Sequence, residues 1–288
     1  MDKSKKTKPD KMILPSYRLT LVYLLLISIF TPGIATGGKL TGGDVIEKEL
    51  RKISDLPDQK IDLFETLLLI SRHWDPNLQT QPLRKEINNL VSELKKNSSR
   101  DANAIIQSLR NSIHTKAGFS YTDEVDARGI PKNNEELFLH GMLKTKRGYC
   151  MNLSLLYLIL GQKLNLPLHG VPLPNHFFVR YEKGQTRINI EATELGAPFS
   201  DTFYSQRYLT SSENKSSYFL KNLNTKQTLG AYFSNVGMVY YKNKNIERAV
   251  FYLGLSTNIN PDSIDAQNNL ANIYSEQNNY EEAIVHYN

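Results

Sequence analysis

Most apolar residues of this chain recur at helical spacing, but residues 166–193, LPLHGVPLPNHFFVRYEKGQTRINIEAT, alternate instead. Two alternating runs flank Lys183–Gly184, and an X-Gly pair in that setting predicts a β-hairpin with a type I′ turn. With those two residues as the loop, Glu182 pairs with Gln185, Phe177 faces Ile190 and Val179 faces Ile188, giving one apolar face for a core. His176 then falls opposite Glu191 on the other face, beside Phe178 and Asn189, where cross-strand Cβ atoms lie about 5 Å apart. A one-residue slip would turn the apolar set outward and part the imidazole from the carboxylate. A hairpin set among helices makes the fold class α+β.

The stretch before the hairpin, KRGYCMNLSLLYLILGQKLNL (146–166), predicts an apolar helix running to about Leu164, with Cys150 at its mouth. Cys150 is the one cysteine of the chain. A thiol at a helix N-terminus meets the positive end of the dipole and unpaired N–H groups, both of which favour the attacking thiolate. Lys146 and Arg147 add positive charge just upstream. Buried free cysteines are also common as small hydrophobes, so the helix alone leaves both readings open. Together with His176 and Glu191, however, it supplies a nucleophile, a base and a group to orient the base. The backbone N–H of Cys150 is a natural oxyanion donor, and no second donor can be named from sequence.

The chain begins with a lysine-rich segment. Residues 1–18 carry four of the six net positive charges, so no basic stripe with interleaved aromatics remains to follow a phosphate backbone, and nucleic acid is excluded as a partner. Behind that segment lies the apolar run Leu19–Phe30, followed by TPGIATGG with small residues at Gly33 and Ala35. A basic region, a short apolar run and a small-x-small exit read as a secretory signal. Twelve helical residues rise about 18 Å, short of a hydrocarbon core of about 30 Å. Residues 1–35 are therefore expected to be a signal peptide, or an uncleaved membrane anchor if Thr31–Ala35 are drawn in, and the protein to be exported. In an oxidising compartment a lone cysteine is either buried or kept for its reactivity.

Residues 36–43 (with GGKLTGG at 37–43) are expected to be a linker. Helices follow, with stripes at Ile61, Phe64, Leu67 and Leu68 and at Leu83, Ile87, Leu90, Val91 and Leu94, and a short helix over Ala104–Ile113. Gly118–Asn134 reads as a long polar loop whose acids Asp123, Glu124 and Asp126 are expected to be solvated rather than calcium-binding. Trp74 reads as a packing anchor. The other histidines, 73, 114, 140, 169 and 286, show no metal-ligand spacing. No glycine-rich phosphate loop is present in the sequence.

The last fifty-odd residues repeat at an offset of 34. Val236 matches Leu270, Gly237 matches Ala271, Tyr240 matches Tyr274, Ala249 matches Ala283 and Leu253 matches Tyr287, with Pro261 closing the first copy. This pattern resembles the tetratricopeptide repeat, a helix–turn–helix unit. The repeat cannot bury its face alone, so two copies either pack on the preceding domain or belong to a longer array; the expectation is a fragment of a longer chain.

The order of a cysteine-headed helix, a strand with histidine and a strand with an acid resembles the transglutaminase-like superfamily of papain-like thiol enzymes. The matching stretches are KRGYCMNLSLLYLILGQKLNLPLHGVPLPNHFFVRY and INIEAT, with LLLISRHWDPNLQ similar to the helical lead-in of its bacterial branch. In that branch the domain is often joined to tetratricopeptide repeats. The resemblance covers about residues 60–205 and implies a cysteine-headed helix packed on an antiparallel sheet; the domain with its helical lead-in is expected over residues 44–210, a linker at 211–229 and the repeats over 230–288. It implies Cys150 as nucleophile, His176 as base and Glu191 as acid, where the superfamily commonly has aspartate. Asn175 stands where glycine would be familiar. The function expected is an exported thiol enzyme acting on peptide or isopeptide amide bonds through a thioester, with no metal or organic cofactor, and with repeats that bind a protein partner. The competing expectation is an inactive thiol-enzyme fold that serves as a binding platform.

Overall fold

The computed structural model describes residues 42–96, 99–126, 131–211 and 217–287. The expected signal peptide or membrane anchor, residues 1–35, lies outside them, as does most of the expected linker. Helix α1 (Gly42–Asp55) begins inside that linker segment. Helices α2 (Leu63–Trp74) and α3 (Gln81–Lys96) bury the two predicted stripes, except that Ile61, also buried, lies just before α2. Asp62 caps α2 by accepting from the backbone N–H of Glu65 at 3.0 Å. The predicted helix over 104–113 is α4 (Ala102–Arg110), which continues into a wider π-type turn over Asn111–Lys116. Trp74 stacks on Phe138, ring centroids 4.7 Å apart, and lies 5.3 Å from Tyr240, so it packs rather than binds. Among the described residues, no helix is long and apolar enough to cross a membrane.

The predicted long loop contains a short strand, β1 (Ser120–Tyr121), paired in parallel with β2 (Arg147–Gly148). Between them α5 (Leu139–Thr145) ends at Lys146 in the left-handed region, φ 61°. The acids of that loop are not simply solvated: Glu124 pairs with Arg147 at 2.9 Å and Asp126 with Lys242 at 3.8 Å. Lys146 pairs with Glu86. The positive charges expected to act on Cys150 are thus already engaged by acids.

Helix α6 (Cys150–Leu164) has the predicted bounds and is buried along almost its whole length. It packs on an antiparallel sheet in the order β3 (Leu168–Leu173), β4 (His176–Lys183), β5 (Thr186–Ile190). Sequence reading missed β3, which joins β4 through Pro174–Asn175. Asn175 is left-handed, φ 55°. Proline at the first central position and a left-handed residue at the second suit a type II turn, and asparagine adopts that region more readily than other non-glycine residues. This accounts for asparagine where glycine is familiar.

The register of β4 and β5 differs from the predicted one by two residues. Lys183 pairs with Thr186, Tyr181 with Ile188 and Val179 with Ile190, so the loop is Gly184–Gln185. Only Gly184 of the two has positive φ, 60°, as in a type II′ rather than a type I′ turn. A two-residue shift preserves which face each side chain occupies. Phe177, Val179, Tyr181 and Ile190 still enter the main core, and His176 and Glu191 still share the opposite face, as diagonal rather than direct neighbours. That face is not left to solvent. Helix α7 (Asp201–Tyr208) covers it, with Tyr204 stacked on Phe178 at 3.9 Å. Buried Arg180 ties the cover down through Asp201, Asn189, Asn222 and the Leu220 carbonyl.

Helices α8 (Thr225–Lys242) and α9 (Ile246–Ile259) form the first repeat, and α10 (Ile264–Glu276) and α11 (Tyr280–Tyr287) the second. Helix α8 begins within the expected linker, and residues 220–223 of that linker run along β3, with Leu223 N–H donating to the Gly170 carbonyl at 2.8 Å. A Cβ on Gly237 would lie 2.8 Å from Leu253 Cγ and 3.2 Å from the Ala249 carbonyl, which is why the small residue of the repeat sits where α8 crosses α9. The repeats pack on the preceding domain: one core cluster runs from Leu50 through α6 and the sheet to Ile273.

Candidate active site

Cys150 is the first residue of α6 and half-buried. Its position is set from both sides. The Tyr149 N–H donates to Asn152 Oδ1 at 2.6 Å, half of a capping box, and Asn152 Nδ2 donates to the Glu136 carbonyl. The Tyr149 hydroxyl donates to the Glu124 carbonyl at 2.8 Å. Just before it, Gly148 is pinned by β1, and a Cβ there would lie 2.9 Å from Asn152 Oδ1 and 3.0 Å from Leu153 Cγ. In the first turn of a helix the N–H groups lack intrahelical acceptors, so the Cys150 amide remains available to an incoming oxygen.

His176 opens β4 immediately after the Pro174–Asn175 turn. Its Nε2 lies 2.7 Å from Glu191 Oε2, and its side chain is 8% exposed. The imidazole and Cys150 line one cavity; with Nε2 engaged by Glu191, Nδ1 is the nitrogen left to serve the thiol. Its ring lies flat on Tyr208, centroids 4.6 Å apart and planes 5° from parallel. Burial pulls the imidazole down, but the bonds to Cys150 and Glu191 outweigh it and raise its pKa to about 10. At neutral pH the ring therefore holds a proton.

Glu191 lies one residue past β5 and caps a short 3-10 turn, Ala192–Glu194. Burial would raise its carboxyl, but the bond and charge of His176, with the bonds from Thr193, hold it below the usual carboxylate range. Oε1 accepts from the Thr193 N–H at 3.1 Å and the Thr193 hydroxyl at 2.6 Å, and Oε2 from the Tyr204 hydroxyl at 3.1 Å. The structure thus brings together all three residues singled out in the sequence.

Sequence reading missed Thr193, Tyr204, Tyr208 and Tyr121. Tyr121 lines the same cavity as Cys150 and His176. Burial, then the negative ends of Cys150 and Asp123, keeps its phenol protonated. None carries a local sequence signature: Tyr121 reaches the site through a two-residue parallel pairing, Thr193 through the 3-10 turn after β5, and Tyr204 and Tyr208 through a helix with little amphipathic pattern. The remaining histidines stand apart. His73 bonds Tyr252, and His114 bonds Tyr157 and the Phe119 carbonyl.

The cysteine-headed helix on its antiparallel sheet is the core of a papain-like thiol-enzyme fold. The family model of the transglutaminase-like superfamily matches residues 81–230, and tetratricopeptide repeat models match 231–263 and 255–285. The chain belongs to the transglutaminase-like superfamily, with tetratricopeptide repeats after that domain. It is 23% identical over 133 residues to UPF0162 protein BU173 of Buchnera aphidicola subsp. Acyrthosiphon pisum, covering 46% of this chain and 48% of that protein. A second UPF0162 protein, from Buchnera aphidicola subsp. Schizaphis graminum, is 25% identical over 133 residues, with the same coverage of each chain. The chain spans about half the length of the curated relatives it matches. A crystal structure of menin, described as revealing the binding site for Mixed Lineage Leukemia protein, aligns over 86% of this chain and 69% of that one, at 12% identity and a TM-score of 0.47.

Proposed function

We propose that this protein is an exported thiol enzyme that cleaves or transfers acyl groups at peptide or isopeptide amide bonds. The observation that carries the reading is the imidazole of His176, bonded to the Glu191 carboxylate and lining one cavity with Cys150 at the head of α6. With the Cys150 thiol proton passed to His176, the sulfur attacks the amide carbon as the thiolate. The C–N bond breaks as His176 delivers its proton to the departing nitrogen, and the acyl group stays on Sγ as a thioester. Water or an amine then attacks, His176 takes its proton, and the thiol is released. Glu191 holds the imidazolium and fixes its ring, and the Cys150 N–H stabilises the oxyanion.

The first test is the rate of iodoacetamide labelling of Cys150 from acidic to mildly alkaline pH, read by intact mass, in the wild type and in His176→Ala. Fast labelling at mildly acidic pH, falling by at least about tenfold in the variant, is expected for a paired nucleophile. Slow labelling indifferent to His176 would end the enzyme reading and leave the repeats as the functional part. Export rests on the basic and apolar pattern of residues 1–35, and N-terminal sequencing of exported material reads it directly.

A further inference from the structure

The cavity of about 360 Å³ that holds Cys150 and His176 does not end within the thiol domain. Its far wall is built from the first helices of the two repeats: Asn235 and Met238 on α8, and Asn269 on α10. Asn235 and Asn269 are 34 residues apart, the repeat spacing itself, so one amide recurs at the same place in both repeats and both face one cleft. Neither amide is committed elsewhere. The only hydrogen bond of Asn235 among the described residues is a long one, 3.5 Å, to the Ala231 carbonyl, and Asn269 makes none. An unengaged side-chain amide offers a donor and an acceptor together, the pairing that a peptide group presents.

The rest of the wall narrows the class of ligand. No lysine or arginine lines the cavity among the described residues, His176 is already paired with Glu191, and the acid Asp265 lies in the wall, so a phosphate-bearing or polyanionic ligand is disfavoured. Tyrosine and methionine are prominent instead, through Tyr149, Met151, Tyr218 and Met238. Such side chains accept varied apolar groups without dictating one.

We propose that the cleft holds an extended polypeptide segment, running from the thiol onto the repeats and gripped through its backbone by Asn235 and Asn269. The inference rests on the proposed amide chemistry only in placing the reacting bond of that segment at Cys150. Packed helices lie about 8–10 Å apart and an extended chain advances about 3.3 Å per residue. The two amides therefore meet peptide groups about three residues apart. Backbone contacts confer tolerance of sequence, so selection falls on conformation: the segment must be unfolded enough to lie extended.

The test uses Cys150→Ser protein and pools of fluorescein-labelled random-sequence peptides of four, eight and twelve residues, with binding followed by anisotropy. Affinity should rise with length and fall by about tenfold in Cys150→Ser carrying Asn235→Ala and Asn269→Ala, as expected for losing two backbone bonds. A backbone N-methylated pool should bind no better than that variant. Binding that ignores length, survives the two substitutions, or is absent would overturn the inference. Iodoacetamide labelling is measured in parallel on Asn235→Ala/Asn269→Ala protein that keeps Cys150. Intact length-dependent binding with slow labelling in wild type and variant alike would retire the enzyme reading and leave the peptide cleft standing. Fast labelling without length-dependent binding would do the reverse.

Discussion

Glu191 accepts four hydrogen bonds, from His176, Tyr204 and twice from Thr193, so its carboxylate is fixed before it orients anything. A glutamate reaches farther than an aspartate, and here the extra length is taken up by folding back onto the Thr193 N–H at the start of a 3-10 turn. The pair it makes with His176 should be visible in stability. His176 has a folded pKa of about 10 against an ordinary 6.5, so its contribution is fully present below about 6.5 and is lost as pH rises toward 10. Glu191 is held below its ordinary 4.5, so its contribution is present above that value and lost as pH falls below it. The pair therefore stabilises most between about pH 4.5 and 6.5. Urea midpoints at pH 5.5 and pH 10 should differ by the equivalent of a few kcal/mol in the wild type, and by less in Glu191→Gln, which leaves the Cys150 share of the His176 shift in place. An equal fall in both proteins would show that other groups carry the alkaline loss.

At the scale of elements, what could be read from sequence follows from what repeats locally. Helix α6 was legible to the residue because a long apolar run with cysteine at its head has few alternatives. The faces of the hairpin were legible because alternation fixes parity. Its register was not, because Lys183–Gly184 and Gly184–Gln185 both place the glycine where a tight turn can use it, and a shift of two leaves every side chain on its own face. His176 and Glu191 met for that reason despite the error. The β1–β2 pairing and the cover of α7 depend on residues distant in sequence with no period of their own, so Tyr121 and Tyr204 could not be found. The β1–β2 pairing also explains Gly148, whose missing Cβ lets Asn152 and Leu153 close on the helix head. Gly148→Ala should force that turn outward and cut iodoacetamide labelling of Cys150 several-fold, at a stability cost of about 1–3 kcal/mol typical of overpacking. Unchanged labelling in a folded Gly148→Ala protein would mean that the helix head does not depend on this approach.

For the whole molecule, the repeats and the thiol domain share one core. Trp74 lies between Phe138 of the thiol domain and Tyr240 of α8, Arg248 Nη1 donates to the His73 carbonyl at 3.0 Å, and the Tyr232 hydroxyl donates to the Leu137 carbonyl at 3.2 Å. Most telling is His73, 1% exposed, whose Nδ1 meets the Tyr252 hydroxyl of α9 at 2.8 Å while Nε2 lies 3.7 Å from Glu47. Burial, then the Arg248 charge, lowers His73 to about 4, so at neutral pH it is an uncharged partner for that hydroxyl. A repeat helix thus supplies a hydrogen bond that the helical lead-in cannot supply for itself. Removing it with Tyr252→Phe strands a buried ring nitrogen and should cost about 1–3 kcal/mol. Because the core is continuous, that loss should not stay in the repeats. Thermal unfolding followed by circular dichroism, which weights the helices, and by exposure of half-buried Trp74, which reports the junction, should shift together by the same amount. The temperature at which Cys150 loses its dependence on His176 in labelling should move with them. Two separable transitions, with the thiol site outlasting the repeats, would mean that the shared core is a contact between independent domains. A single transition would mean that the wall of the cleft opposite the thiol is as permanent as the helix that carries the thiol.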